Sequence, residues 1–263
     1  MIHGLDTFRA HFAHYADRYV LIGGVAASLA MEEAGLDFRA TKDLDMVLVI
    51  EAMDAEFGQH FWQFVQAGGY AMRERSSGKP QFYRFQKPAE PHYPAMLELF
   101  SRIPDGLVLS TDAHLTPIPI DEAVSSLSAI LLDADYYAFI LAGASVISGI
   151  ACVGTDRLIP LKANAWLDLR ARVASGDAID ARNVRKHLLD VVRLSQLLAP
   201  DLRITVPDRV AADMNQFLAL MEQEAVDMKT MGLGQMRLPT VADRIRVAYG
   251  LPPAVSSNTL PNA

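Results

Sequence analysis

The sequence predicts an α/β domain followed by a helical one, on three observations. Short apolar runs alternate with amphipathic stretches through the first half, glycines punctuate those runs, and from Arg157 onward only long helical periodicity remains. At 263 residues, 51% hydrophobic and 21% charged, the chain can bury a sizeable core and is too apolar to be disordered. One domain or two closely packed ones is the expectation.

Leu5 to Ala16 has helical spacing, and Tyr19-Val20-Leu21-Ile22 is a buried strand that ends at Gly23-Gly24. Val25 to Ala34 is Ala-rich and helical, stopped by Gly35. Asp43 to Ile50 is the next strand, and Ala55 to Ala67 a helix closed by Gly68-Gly69. Gln81 to Gln86 and Ala95 to Ser101 are further strands. Leu115 to Ile120, carrying Pro117 and Pro119, suits only an edge strand. Asp121 is placed to cap a helix running through Leu132. Val146-Ile147 and Ile150 to Val153 flank Ser148-Gly149 as two strands flank a hairpin turn. Helices then follow at Leu158 to Val173, Ala181 to Leu198, Pro207 to about Met228 and Val241 to Tyr249. The expected organisation is an α/β core over 1–135, a connecting hairpin over 136–156, a helical domain over 157–250 and a mobile tail over 251–263.

Tyr136 to Thr155 is twenty residues without a charge, the length of a membrane span. Its glycines and serines, and the lack of any Lys or Arg between Arg102 and Arg157, argue against one. The start of the chain carries charge and no apolar signal region, and Cys152 is the single cysteine, which excludes intramolecular disulfides and multi-cysteine metal sites. A cytoplasmic protein without membrane contact is expected, with Cys152 a small core residue. A net charge of −7 excludes coating nucleic acid by charge alone. Basic residues are nevertheless concentrated. Between Tyr70 and Glu90, Arg73, Arg75, Lys79, Arg84 and Lys87 face two acids, and residues 157–193 hold eight basic side chains against four acidic ones.

The informative segment is Gly23-Gly24 at a strand end, a helix, and then Arg39-Ala40-Thr41-Lys42-Asp43-Leu44-Asp45. Read as a strand, Arg39, Thr41, Asp43 and Asp45 share one face while Leu44, Met46 and Leu48 enter the core. Two carboxylates side by side repel, and a divalent metal relieves the repulsion. Tandem glycines opening a helix let phosphate approach backbone N–H groups at the positive helix end. Glu98, one acid inside the apolar run Met96 to Phe100, is the candidate for a third carboxylate of a two-metal site. The alternative for Glu98 is a structural ion pair with an arginine. His11 and His14, at i and i+3, read as a solvated helix face. The Gly232-Leu233-Gly234 triplet follows no strand and reads as a loop.

These residues resemble the polymerase-β-like nucleotidyltransferases, whose mark is a strand ending in Gly-Gly or Gly-Ser, a helix, and a strand bearing Asp-x-Asp. The closer resemblance is to the AbiEii-type nucleotidyltransferases, the toxin halves of type IV toxin–antitoxin systems. Their Arg-x-Thr-x-Asp-x-Asp is matched by Arg39, Thr41, Asp43 and Asp45. Their later helix with an essential lysine looks like the one carrying Lys162, and their Lys-Asp-x-x-Asp is matched by Lys186 to Asp190 with His187 in place of the first acid. The resemblance implies a mixed-sheet core with a helical C-terminal domain and an enzyme that moves a nucleoside monophosphate from an NTP to an acceptor hydroxyl. It implies Mg²⁺ or Mn²⁺ on Asp43, Asp45 and Glu98, nucleotide contacts from Gly23, Gly24, Arg39, Thr41 and Lys162, and catalytic roles for Lys162 and Asp190. The implied acceptor is a tRNA end or another macromolecule, with a cognate antitoxin as partner. Without the resemblance, Lys162 reads as a lysine with its stem against the core, and Lys186 with Asp190 as a surface i, i+4 pair. Two rivals share the Gly-Gly and Asp-x-Asp core: an antibiotic-type small-molecule nucleotidyltransferase and a non-catalytic nucleotide-binding protein.

Overall fold

The fold is α/β. The structure, a computed structural model, describes residues 2–72, 83–105, 115–118, 128–234 and 236–253. The chain divides into two compact units, Met1–Leu158 and Ile159–Ala263.

In the first unit, nine strands among the described residues form one mixed sheet. They are β1 (Tyr19–Ile22), β2 (Asp43–Leu48), β3 (Ala71–Met72), β4 (Arg84–Gln86), β5 (Met96–Ser101), β6 (Leu115–Pro117), β7 (Ser128–Leu131), β8 (Ala144–Ile147) and β9 (Ile150–Val153). Their order is β3-β4-β5-β2-β1-β9-β8, with β7 on β5 and β6 on β7. β1 lies antiparallel to β2 and parallel to β9, while β2 runs parallel to β5. Every residue of β1 is buried, as suits a central strand covered on both faces.

The helices of this unit are α1 (Leu5–His11), α2 (Gly23–Glu33), α3 (Ala55–Gly68) and α4 (Ala134–Ala142). Asp54 caps α3 by accepting from the Phe57 N–H, and Gly69 ends it in the left-handed conformation at φ 60°. α1 and α3 bury Phe8, Phe57, Phe61 and Phe64 among Phe12, Tyr19 and Phe85, a cluster of tilted and edge-on rings. α2 buries Val25, Ala26, Ala27, Leu29 and Met31. The hairpin of β8 and β9 turns at Ser148-Gly149, as the glycine spacing predicts.

Several elements differ from expectation. α1 stops at His11, and His11 is not on a solvated face: its ring stacks on His60 at 3.9 Å, and each Nε2 hydrogen-bonds with the other residue's backbone carbonyl. The segment 36–42 is irregular, so Arg39 and Thr41 precede the strand that begins at Asp43. Residues 128–131 are strand β7, paired parallel to β5, instead of the end of a helix capped by Asp121; residues 119–127 of that helix lie outside the described residues. The first seven residues of the uncharged stretch, 136–142, belong to helix α4. Among the described residues, no helix is long and apolar enough to cross a membrane.

The second unit contains most of α5 (Thr155–Ala174), with α6 (Ala181–Leu194), α7 (Asp208–Met221) and α8 (Leu238–Tyr249). Its core gathers Trp166, Leu188, Val191, Phe217, Leu218, Val241 and Ile245. α6 gives way to a 3-10 turn over Ser195–Leu197, and α7 ends at Met221, short of Met228.

Candidate active site

The junction of β1 and α2, where the strand passes directly into the helix at Gly23, sits against β2. Gly23 has φ 71°, a conformation an L side chain resists, and a Cβ added there would lie 1.9 Å from Oδ2 of Asp45. A Cβ on Gly24 would meet Oγ1 of Thr41 at 2.5 Å. The two glycines therefore form a cradle that only hydrogen side chains leave open, with Asp45 and Thr41 as its far wall.

Asp43 and Asp45 are half-buried on one side of β2, while Leu44 and Met46 between and beyond them are fully buried. Register places Ile22 across from Asp45 on one neighbouring strand and Glu98 across from Asp45 on the other. Glu98 thus stands in the expected row. Its carboxylate is turned to Arg84, its register partner on β4: the Arg84 Nε donates to Oε1 at 2.5 Å and a second guanidinium nitrogen approaches the same oxygen. Among the described residues, no three His, Cys, Asp or Glu side chains converge closely enough to hold a metal ion. Asp43 and Asp45 remain a pair of hard oxygen donors beside the cradle.

The N-terminus of α2 has no side-chain cap and no acid in its first turn, so its backbone N–H groups and positive end favour an anion. Arg39, Thr41 and Lys42 line a cleft of about 660 Å³ formed with Ser28 and Glu32 of α2. Arg39 lies over the Phe38 ring, 5.5 Å from its centroid. Gly23, Gly24, Thr41, Asp45 and, by strand alternation, Asp43 are thereby brought together, with Arg39 in the adjoining cleft.

Lys162 and Asp190 belong to the second unit, where they meet each other. The Lys162 Nζ lies 3.1 Å from Oδ2 of Asp190, and both side chains are buried. Asp190 thus turns inward to α5, correcting the surface pairing with Lys186. The contact ties α5 to α6 away from water, each partner offsetting part of the other's desolvation.

Arg84 is the site residue that sequence reasoning placed only within a basic run. Its role follows from β4 lying antiparallel to β5 with Arg84 opposite Glu98, a register that no local pattern announces. The basic segments are also less basic than their composition suggests. In 157–193, Arg157, Arg170, Arg172 and Arg182 each pair with an acid. Arg73, Arg75 and Lys79 lie outside the described residues.

At the base of the sheet, Glu51, Tyr137, Arg102 and Asp105 form a second polar network. Tyr137 donates to Oε2 of Glu51 at 2.7 Å and accepts from the Ile50 N–H at 2.8 Å, while Arg102 bonds both acids. Burial pushes the Glu51 carboxyl up, but the Tyr137 and Arg102 hydrogen bonds outweigh it and hold the group below its ordinary value. This network ties the end of β2 to α4 and is structural.

No family model and no curated protein matches the chain. The solved structures similar to it include two from Helicobacter pylori. One is a candidate nucleotidyltransferase from Helicobacter pylori, 18% identical, with a TM-score of 0.41 over 93% of this chain and 91% of that one. The other is JHP933 from Helicobacter pylori, 16% identical, with a TM-score of 0.38 over 93% of this chain and 87% of that one.

Proposed function

We propose that the chain is a metal-dependent nucleotidyltransferase that moves a nucleoside monophosphate from an NTP to an acceptor hydroxyl. The observation that carries this reading is the contact of the Gly23-Gly24 turn with the Asp-x-Asp strand: a glycine at positive φ opens an uncapped helix directly against Asp45. A triphosphate requires both halves of that arrangement, backbone donors for its oxygens and carboxylates for the cation it carries.

The residues fit a divalent ion. Asp43 and Asp45 would hold Mg²⁺ or Mn²⁺, and Glu98 would join them on release from Arg84. When bound, the ion would offset the charge of the phosphates and of the pyrophosphate leaving group. The Gly23 and Gly24 backbones bind phosphate oxygens, Thr41 braces Gly24, and Arg39 adds positive charge from the adjoining cleft. Lys162 adds charge in the helical unit with Asp190 holding its ammonium in place. The acceptor oxygen bonds to the α-phosphorus, pyrophosphate departs, and the acceptor loses its proton.

The acceptor is an RNA end, tRNA first, and the setting a cytoplasmic toxin held by a cognate antitoxin; the resemblance in the Arg-x-Thr-x-Asp-x-Asp segment supports both. A second reading, transfer to a small molecule, is favoured by the ion pairs that neutralise four of the arginines in 157–193. Incubation with α-labelled NTPs and total RNA decides between them. A discrete labelled small-RNA band, lost in Asp45→Asn and falling steeply with salt, is the expected result. Label on a small-molecule hydroxyl alone would favour the second reading, and no transfer to any acceptor would overturn both.

A further inference from the structure

The helical unit holds a pocket that the proposed transfer does not use. It opens where the end of α5 faces the start of α6 and has a volume of about 450 Å³, within the range of small-molecule sites. Trp166 and Leu188, each 1% exposed, form its floor. The Trp166 ring is braced edge-on by Phe217, with centroids 5.3 Å apart. Val184 lines the wall, and Val173 stands at the mouth with 45% of its surface in water. An apolar side chain left so exposed beside an apolar pocket gains when a ligand covers it.

Two arginines line the same pocket and differ in their partners. Arg170 stacks over Trp166, 4.5 Å from the ring centroid, and is paired with Glu224, so its charge is met. Arg185 is exposed, donates to the backbone carbonyl of Ala225 at 3.1 Å, and forms no ion pair among the described residues. The lining thus combines an apolar interior with two arginines against one glutamate, an excess of one positive charge.

We propose that this pocket binds a small amphipathic organic anion, its apolar body on Trp166 and Leu188 and its charged group at Arg185. Arg185 spends one of its five N–H donors on Ala225, and a remaining donor would meet the anion in a bond ionised on both sides, stronger than one to a neutral acceptor.

The test uses the full-length protein and two probes that share one body. One is 8-anilinonaphthalene-1-sulfonate, an anion, and the other is N-phenyl-1-naphthylamine, its uncharged counterpart. Both should bind saturably at one site and quench or shift the Trp166 signal in a Trp62→Phe background. Arg185→Gln should weaken the anion about five- to tenfold and leave the neutral probe within about twofold. Ala174→Phe, which fills the mouth from an exposed position, should weaken both. Melting curves confirm that each variant is folded. Absence of saturable binding, a response to Arg185→Gln that is equal for both probes, or indifference of both to Ala174→Phe would each overturn the proposal.

Discussion

Gly23 and Asp45 are packed so closely that a β-carbon on the glycine would lie 1.9 Å from the Asp45 Oδ2 and 2.8 Å from its Cγ. The carboxylate can keep its position only because residue 23 has no side chain. Gly23→Ala should therefore displace Asp45, abolish transfer and lower stability by about 1–2 kcal/mol through backbone strain at positive φ. Adding Asp45→Ala should recover the part due to collision and leave the strain, so the double variant melts between Gly23→Ala and wild type. Equal melting of the two Gly23 variants would show that the collision is relieved some other way.

The Arg84–Glu98 pair sets a second expectation. Removing the guanidinium leaves a mostly buried carboxylate without its partner, so Arg84→Gln should cost roughly 1–3 kcal/mol. The freed Glu98 would also stand beside Asp45 as a potential third ligand. Added Mn²⁺ should then raise the melting temperature of Arg84→Gln more than that of wild type. A smaller rise in the variant would mean that Glu98 acts only as a structural partner.

Lys162 and Asp190 form a buried pair, and breaking it from one side should be costly. Asp190→Ala is expected to destabilise by about 3–5 kcal/mol, since it strands a buried ammonium. Replacing both with apolar residues, Lys162→Met with Asp190→Leu, should restore most of that stability. If the ammonium serves the reaction, the restored double variant should still fail to transfer. Full activity in that variant would assign the pair to folding alone.

Cys152 and His11 give the pH dependence. Burial pushes the Cys152 thiol up to about 11, so the native state keeps it protonated. Its contribution is complete below the unfolded value near 9 and is lost as pH rises toward 11. Burial also lowers His11 from 6.5, so the native state favours the neutral ring and stability falls as pH drops below about 6.5. Chemical denaturation from pH 5 to 10 should show a plateau with both limbs, the acid limb shallower in His11→Gln. At pH 8 a thiol reagent should leave native Cys152 unmodified and react after unfolding; rapid native modification would contradict its burial.

What could be read in the sequence was local. The glycine-ended strand, the Ala-rich helix after it and the alternation Asp43-Leu44-Asp45-Met46 each announce themselves within a few residues, and the structure has β1, α2 and β2 there. What escaped depends on partners distant in sequence. β7 was unreadable because Ser128–Leu131 is a strand through pairing with β5 and β6, and four residues are too few to distinguish a strand from a helical turn by period. Arg84 needed the β4–β5 register. His11 needed α3 beside it to bring His60 within stacking distance.

In the proposed function, the Gly23-Gly24 cradle and the Asp43–Asp45 pair together form a metal-dependent triphosphate site. Calorimetric titration with a non-hydrolysable NTP, with Mg²⁺ and then in EDTA, tests it most directly. Binding should be clear with Mg²⁺, at least tenfold weaker in EDTA, where the carboxylates repel the phosphates, and lost in Asp43→Asn and Asp45→Asn variants that melt no lower than wild type. Equal affinity in EDTA, or undiminished binding in both variants, would show that these carboxylates hold no metal for the triphosphate.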